Sequence, residues 1–390
     1  MASRLKWLVP GDSAPNSADW QRMGRALMEG DPLADALVEW MHQQGKTKAW
    51  AQFERALRAP PTDLLAFAEP LRTFLLSARS MPSWVNWQQI EAGATVLRST
   101  GLHGMRVLRD AGLMAGYQAS AINQTLLMTG ALHKGAQRRV AETTSWWLDC
   151  VAPEGMQRGA PGFNATLRVR LVHAWVRRQL SQSPRWDVER WGVPVNQQDM
   201  QATYLAFSVV QLIALKTTGF WLTRAESEAV MHFWRYVGWL MGVDEQYLCD
   251  NETQGRRMLY QNVLGQAPSD ETSVQLGQAL MDEPLYRRYA RWKGIRGRFN
   301  RAMHLSLVRW FVGREGMRNL GLPPSWPWYP LLMWVPNVTM STLWHWAPFA
   351  RKIRAKLAGR QQRAYLQVLM GGNASPHLHQ EVPLDRTGGS

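Results

Sequence analysis

The chain is short of cysteine, of acidic residues and of long apolar runs. Its 390 residues include only Cys150 and Cys249, with no CxxC pair, which excludes a disulfide framework, a thiolate zinc site and cofactor attachment through paired cysteines. No apolar run reaches the ~18 residues that a bilayer-spanning helix needs. Runs of alternating β-branched residues are also missing, so the sequence predicts no real β-sheet.

Basic residues exceed acidic ones, with 45 Lys and Arg against 30 Asp and Glu, a net charge of +15 and a pI near 10.3. This excess indicates an acidic counterpart, such as nucleic acid or an anionic bilayer, or simply a cationic outer face. A charged fraction of 19% and a mean hydropathy of −0.31 exclude a disordered chain and a multispanning membrane protein. The 21 tryptophans favour aromatic-lined cavities or contact with a membrane interface.

Helical periodicity dominates the chain and predicts an all-α fold, a single large helical domain. We divide it into an N-terminal helical extension (1–60), a catalytic domain (61–320), a Trp-rich and basic C-terminal extension (321–370) and a disordered tail (371–390). The N-terminus lacks the apolar core of a signal peptide and a twin arginine. We therefore expect a cytoplasmic protein, either free or peripheral to the inner face of a membrane.

Polar residues at fixed places predict where helices begin. Thr62 with Asp63 is expected to cap a helix that extends through Leu76, and Glu283 with Pro284 is expected to open a late helix. Four further predicted caps are Asn196, Thr223, Asn251 and Asp270.

Two C-terminal stretches allow more than one interpretation. Residues 286–298 interleave basic and aromatic residues, which suits single-stranded nucleic acid, but we favour a solvated helix whose aromatics face the core. Residues 326–348 are apolar and Trp-rich, and their prolines are expected to break them into an interfacial lip or a hydrophobic entrance. Residues 351–356 add a basic flank for anionic headgroups; interfacial contact and plain packing both stay open.

One helical segment carries an unusual polar set. In Arg168-Val-Arg170-Leu-Val-His173-Ala-Trp-Val-Arg177, residues Arg170, His173 and Arg177 fall on one side of a helix, between apolar residues. A neutral imidazole can ligate a metal, and arginines one turn away can hold carboxylates. The set suits a haem pocket with one axial ligand and cations for two propionates. The alternative is an ordinary packed histidine.

A second polar cluster lies one helix upstream. Arg139 and Thr143 are four residues apart and share a helix face, with Glu142 beside it. A guanidinium and a hydroxyl can donate to dioxygen, and a carboxylate can accept a proton or pair with an arginine. The alternative is a solvated face with an Arg–Glu pair.

These two motifs are followed along the chain by Pro194-Val-Asn-Gln-Gln-Asp-Met200, by Phe233-Trp-Arg-Tyr-Val-Gly238 and by Gly242-Val-Asp244. In content and order, the motifs resemble the family of latex-clearing rubber oxygenases and fungal MpaB-type oxygenases. The resemblance runs from about Thr62 to about Leu320. It implies a globin-like helical core that holds haem b through His173, with Arg139 and Thr143 on the distal side and Arg170 and Arg177 supporting the haem or its ligand helix. It also implies addition of O2 across a C=C bond of an unsaturated, isoprenoid-like substrate.

The chain departs from the family's pattern at two places. Rubber oxygenases carry a lysine directly before the distal threonine, where this chain has Glu142. They also have an upstream glutamate as a proposed base, and an ungapped count reaches Asn123, which cannot act as one. Since rubber oxygenases are typically exported, we expect a prenyl, carotenoid-like or unsaturated acyl lipid instead of a solid polymer.

Three other functions compete with a haem oxygenase. The first is a haem-binding sensor or carrier without oxygenase activity. The second is a non-haem metal enzyme that uses Glu228 and His232, a lone pair that packing explains more simply. The third is a basic protein that binds a membrane surface or nucleic acid without any cofactor. Of these partners we expect no nucleic acid, contact with a membrane surface stays open, and the sequence predicts no oligomeric state.

Overall fold

The computed structural model describes residues 5–9, 11, 13–130 and 135–370, so the predicted tail, 371–390, lies outside the described residues. Every regular element among the described residues is helical, which confirms the predicted all-α class. The α-helices are α1 Ser17–Leu27, α2 Pro32–Gln43, α3 Lys46–Arg58, α4 Glu69–Arg79, α5 Trp87–Ser99, α6 Gly101–Val107, α7 Met114–Gly116, α8 Ser120–Met128, α9 Ala136–Cys150, α10 Pro161–Ser181, α11 Val188–Trp191, α12 Gln197–Leu205, α13 Gln211–Thr217, α14 Arg224–Leu240, α15 Glu252–Leu264, α16 Glu271–Tyr286, α17 Lys293–Asn319, α18 Trp328–Trp346 and α19 Pro348–Met370.

Two π-helical segments interrupt the α-helices and pack against each other. Leu108–Leu113 joins α6 to α7, and Ala206–Val210 joins α12 to α13. A π-turn places one extra residue in a helical turn and often occurs at functional sites. Short 3₁₀ turns occupy Lys6–Leu8, Pro61–Ala66 and Glu245–Tyr247.

One hydrophobic core runs through the molecule and joins all three predicted helical segments of the chain. At its centre α5 packs against α14, while α10 packs against α9 on one side and against α2 on the other. The C-terminal helix α19 lies over α5, α6 and α9, and α18 packs on α17. The N-terminal helices thus brace the helix of His173, and the C-terminal helices close over the helix of Arg139.

The predicted caps of four helices are confirmed. Asn196, Thr223, Asn251 and Asp270 each accept a backbone N–H in the first turn of the helix that follows them. Such bonds satisfy N–H groups that have no partner within the helix. At these four helices a short polar side chain directly before an apolar-periodic run was enough to locate the start.

The predictions at Thr62 and at Glu283–Pro284 were wrong. Thr62 lies inside the 3₁₀ turn, and α4 begins only at Glu69, with a proline in its first turn. Pro284 lies inside α16, in the last turn of that helix, and does not open a new one. A proline near a helix end costs one backbone hydrogen bond, which packing of the buried Glu283 and Pro284 offsets.

The prolines in residues 326–348 do not break that stretch either. α18 begins at Trp328 and continues through Pro336 to Trp346. The expected burial of aromatics in 286–298 was also wrong in part, because Tyr289 is buried whereas Tyr286 and Trp292 are 66% and 72% exposed. Among the described residues, no helix combines the length and the apolar content that crossing a membrane requires.

Candidate functional site

His173 lies near the middle of α10, at the border between two faces of that helix. Val169, Val172, His173 and Val176 form a half-buried apolar stripe, whereas Leu171 and the other residues of the inner face are fully packed. The spacing of three and four residues makes this stripe one continuous surface. A half-buried apolar surface on a helix can receive a flat hydrophobic group.

The imidazole of His173 is neutral and keeps one nitrogen without a partner. Its Nδ1 is buried and has no hydrogen bond. Burial, and then the nearby Arg177 cation, lower the pKa of His173 to about 4. A buried nitrogen without a partner costs free energy, and a neutral imidazole is the form that ligates a metal. The side chain therefore has the protonation state and the unused atom of a ligand.

Arg170 and Arg177 each form an ion pair with α2. Arg170 donates from Nε and Nη2 to Asp31, at 2.6 and 2.9 Å, and Arg177 donates from Nη1 to Asp35 at 2.6 Å. Both guanidinium groups are buried. The two arginines thus fasten α10 to the N-terminal helices, which favours support of the ligand helix over the other expected role, contact with the cofactor.

A turn after α14 is shaped to fit this pair. Gly242 has φ +93°, and a Cβ there would lie 2.3 Å from Asp31 Oδ2 and 2.7 Å from Arg170 Nε. Only glycine combines this backbone conformation with that approach. Gln197 also joins the turn: its Nε2 donates to the carbonyl oxygens of Gly30 and Gly242, and its Oε1 accepts from the N–H of Asp244. The sequence motifs 194–200 and 242–244 therefore meet in the structure, where they contact the Arg170–Asp31 pair and the start of α2.

The predicted distal residues lie on α9, which packs against α10. Arg139 is half-buried and donates from Nη1 to the hydroxyl of Tyr117 at 3.4 Å. Thr143, one turn later, is exposed. Glu142 accepts from Arg138 Nε at 2.8 Å, so its carboxylate is engaged in a partly exposed pair on the helix surface. The structure gives no direct contact between these side chains and His173.

Tyr117 is a polar residue of this region that the sequence did not reveal. It is 4% exposed, and burial raises the pKa of its hydroxyl. Its backbone carbonyl accepts from Nδ2 of Asn123 at 2.8 Å. Asn123 is itself fully buried, and its Oδ1 has no hydrogen-bond partner. No motif marks Tyr117, because a single tyrosine in a turn has no distinguishing spacing.

Aromatic side chains join α9, α14 and the second π-helical segment. The ring of Phe207 lies 5.2 Å from that of Trp146 and 5.0 Å from that of Trp234. Trp146 also donates from Nε1 to Thr166 Oγ1 of α10 at 3.1 Å. Ring contacts of this kind are rigid, so they fix the spacing of the helices that carry Arg139 and His173.

A buried charge network around the first π-helical segment was also missed. Asp110 accepts from Nε of Arg109 at 2.6 Å, and its Oδ1 lies 2.6 Å from Nδ1 of His304. Glu283 accepts from Arg287 Nε at 2.7 Å and faces Arg109 at 3.5 Å. The partners are far apart in sequence, so spacing rules could not find them. The network anchors α16 and α17 to the π-turn.

The alternative metal pair, Glu228 and His232, has no metal-site geometry. Nε2 of His232 accepts the backbone N–H of Asn86 at 3.0 Å, and its ring packs edge-on against Trp84. Among the residues that the structure describes, no group of three His, Cys, Asp or Glu side chains is placed to hold a metal ion. His232 thus has the packing role that the sequence favoured.

Comparison with known proteins places this site in a family. Residues 100–351 match the family model described as "ER-bound oxygenase mpaB/B'/Rubber oxygenase, catalytic domain", which is well over half of the chain. The chain belongs to this oxygenase family. The match begins later and ends later than the predicted catalytic domain, 61–320, and the division into four segments stays a prediction.

Two relatives agree with this membership. The rubber oxygenase of Streptomyces sp. (strain K30) is 26% identical over 283 residues, which are 68% of this chain and 67% of that protein. The solved structure of latex clearing protein LCP in the closed state matches with a TM-score of 0.65 and 20% identity, over 87% of this chain and 91% of that one. The second likeness shows that the fold is shared. The globin-like comparison stays a prediction.

Proposed function

We propose that this protein is a haem b-dependent oxygenase that uses O2 to cleave or oxidise C=C bonds of a hydrophobic, isoprenoid-like or otherwise unsaturated lipid. The observation that carries the proposal is the buried, unpartnered Nδ1 of the neutral His173, on a half-buried apolar stripe in a member of an oxygenase family. Haem, when bound, supplies the O2 chemistry that protein side chains lack.

The donor set fits haem better than a bare metal ion. A porphyrin provides four ligands itself, so the protein needs to offer only one or two. The described residues offer single histidines but no cluster of three metal-binding side chains. In this proposal His173 holds the iron, while Arg170 and Arg177 hold α10 in place through Asp31 and Asp35.

In this proposal the protein's own contribution to catalysis comes from α9. The guanidinium of Arg139 has several N–H donors, and the hydroxyl of Tyr117 accepts a hydrogen bond from one of its nitrogens. We propose that its guanidinium stabilises negative charge that develops on oxygen atoms of the substrate during reaction. Thr143 provides a hydroxyl donor on the same helix face, and Glu142 exchanges protons once it leaves Arg138. The apolar side chains of α10 would orient the hydrocarbon and exclude water.

Three features of the predicted distal side favour a second function. Thr143 is exposed, Glu142 is paired with Arg138, and Asn123 stands where a base is expected. These features suit a haem-binding sensor or carrier that performs no oxygenation.

Oxygen uptake by haem-loaded protein separates the two functions. The proposal expects O2 consumption that depends on an added polyprenyl or unsaturated acyl lipid, with carbonyl products detected by mass spectrometry. Haem-loaded protein that consumes no O2 with any such lipid would leave the sensor or carrier as the better description.

A further inference from the structure

The exposed face of α18 is unusually apolar for a surface helix, and its buried face carries polar groups beside Tyr329 and Trp344. Its buried residues include Asn337 and Ser341, which are 1% and 0% exposed. Its exposed residues are mostly large and apolar: Leu331, Leu332, Trp334, Val335, Leu343 and Trp346, with exposures between 47% and 84%. An ordinary surface helix exposes polar and charged residues instead. The outer face of α18 is therefore suited to an apolar environment.

Hydrogen bonds fix this orientation. Asn337 Nδ2 donates to the carbonyl oxygen of Thr218 at 2.8 Å, and Ser341 Oγ accepts the N–H of Trp221 at 2.9 Å. Gly219, between these partners, has φ +98° and lies so close to the carbonyl oxygen of Trp334 that a Cβ would be 2.5 Å away. Turning α18 to hide its apolar face would leave these buried polar groups without partners, which is costly.

The apolar surface continues onto α19 and ends in a cationic one. Phe349 and Ile353, 70% and 55% exposed, share a face of α19 with the exposed Lys356, Arg360 and Arg363, at successive spacings of four and three residues. We call the exposed apolar residues of α18 and α19 and these three cations the C-terminal surface. It resembles a helix that lies in a membrane interface, where apolar residues enter the bilayer and cations meet headgroups.

Charge identifies the kind of partner. Residues 321–370 contain six Lys and Arg and no Asp or Glu. A second copy of this face would offer no carboxylate to Lys356, Arg360 and Arg363, and an uncharged hydrocarbon surface would leave them unused. In a bilayer, anionic headgroups pair with the cations and the acyl layer below them receives the apolar residues. Tryptophans such as Trp334 and Trp346 favour the boundary between headgroups and acyl chains.

We propose that the C-terminal surface docks the protein on an anionic lipid bilayer, with α18 lying in the interface. This site is separate from His173 and does not depend on bound haem. A hydrophobic substrate dissolved in the same bilayer would then be delivered next to the helices that cover α9.

The test is co-sedimentation of the full chain with vesicles of phosphatidylcholine and phosphatidylglycerol, compared with phosphatidylcholine alone. We expect binding to the anionic vesicles that weakens with salt. The double variant Trp346→Ser with Phe349→Ser should bind these vesicles ~tenfold more weakly, and so should the double variant Arg360→Glu with Arg363→Glu. All four side chains are exposed, so the fold should persist, which circular dichroism checks.

The matched control is the double variant Trp7→Ser with Leu65→Ser. The native side chains are 92% and 75% exposed and lie outside the C-terminal surface. This variant should bind vesicles like the parent. Three results would overturn the proposal: no binding to anionic vesicles, binding that only the charge variant weakens, and a dimer that the Trp346→Ser and Phe349→Ser variant dissociates. The last two would indicate general polyanion binding and a second copy of the chain.

Discussion

Arg170 on α10 and Asp31 at the start of α2 form a buried, two-point ion pair across 139 residues of sequence. Asp31 also accepts the N–H of Ala34 and so caps α2. One carboxylate thus fixes the beginning of an N-terminal helix to the helix that carries His173. The N-terminal segment is therefore part of the framework that holds the candidate ligand, and not a separate appendage.

We expect Asp31→Asn to destabilise the protein strongly. The amide can still cap α2, but the Arg170 cation would be left buried without its countercharge. Breaking one side of a buried pair costs about 3–5 kcal/mol of unfolding free energy. Urea unfolding followed by circular dichroism measures this loss. As a control, Glu39→Gln breaks the exposed pair with Arg178 and should leave the curve unchanged. Equal effects of the two changes would contradict the role given to Asp31.

Arg139→Ala should leave haem bound but lower the rate of O2-dependent turnover. Loss of one donor to developing charge costs ~10²–10³-fold in kcat. Tyr117→Phe should give a smaller loss in the same direction, because it only releases Arg139 from its hydrogen bond. Arg185→Ala changes an exposed arginine outside α9 and serves as the control. Turnover that Arg139→Ala does not change would remove this residue from the mechanism.

Asp199 should make stability depend on pH. Burial raises the pKa of this carboxyl to about 7, against an ordinary value near 3.8. Because the folded pKa is the higher one, this contribution to stability is complete below about pH 4 and is lost as pH rises through about 7. The loss is on the order of 4 kcal/mol.

The measurement for Asp199 is the unfolding free energy at several pH values between 4 and 8. Asp199→Asn should remove most of the decline, because its amide stays neutral at every pH while it can still face Asn196. Parallel curves for the parent and the variant would show that the carboxyl of Asp199 does not titrate as proposed.

Local signals in the sequence were enough for the helical class, for four helix caps and for placing His173 and Arg139 on helices. Asn196 and Thr223 stand directly before their helices, so nearest-neighbour rules apply. Pro284 and Pro336 misled the prediction because packing can offset one lost backbone hydrogen bond. A rule that ends helices at prolines does not include that compensation.

Partners of the site residues could not be predicted, because they are distant in sequence. His173 and Arg139 were found from their own helices, but Asp31, Tyr117 and Gly242 were not assigned to them. A helical wheel states which residues share a face and says nothing about which helix covers it. Similarly, the sequence showed that 326–348 is apolar, whereas the outward direction of its apolar side chains follows from the hydrogen bonds of Asn337 and Ser341.

The most direct test of the central claim is the visible spectrum of protein purified after haem supplementation. We expect a Soret band in the parent, and loss of stable haem retention in His173→Ala. The control is His42→Ala, which changes an exposed histidine on α2 and should retain the band. A colourless parent, or a His173→Ala variant that keeps haem as firmly as the control, would contradict the assignment of His173 as the haem ligand.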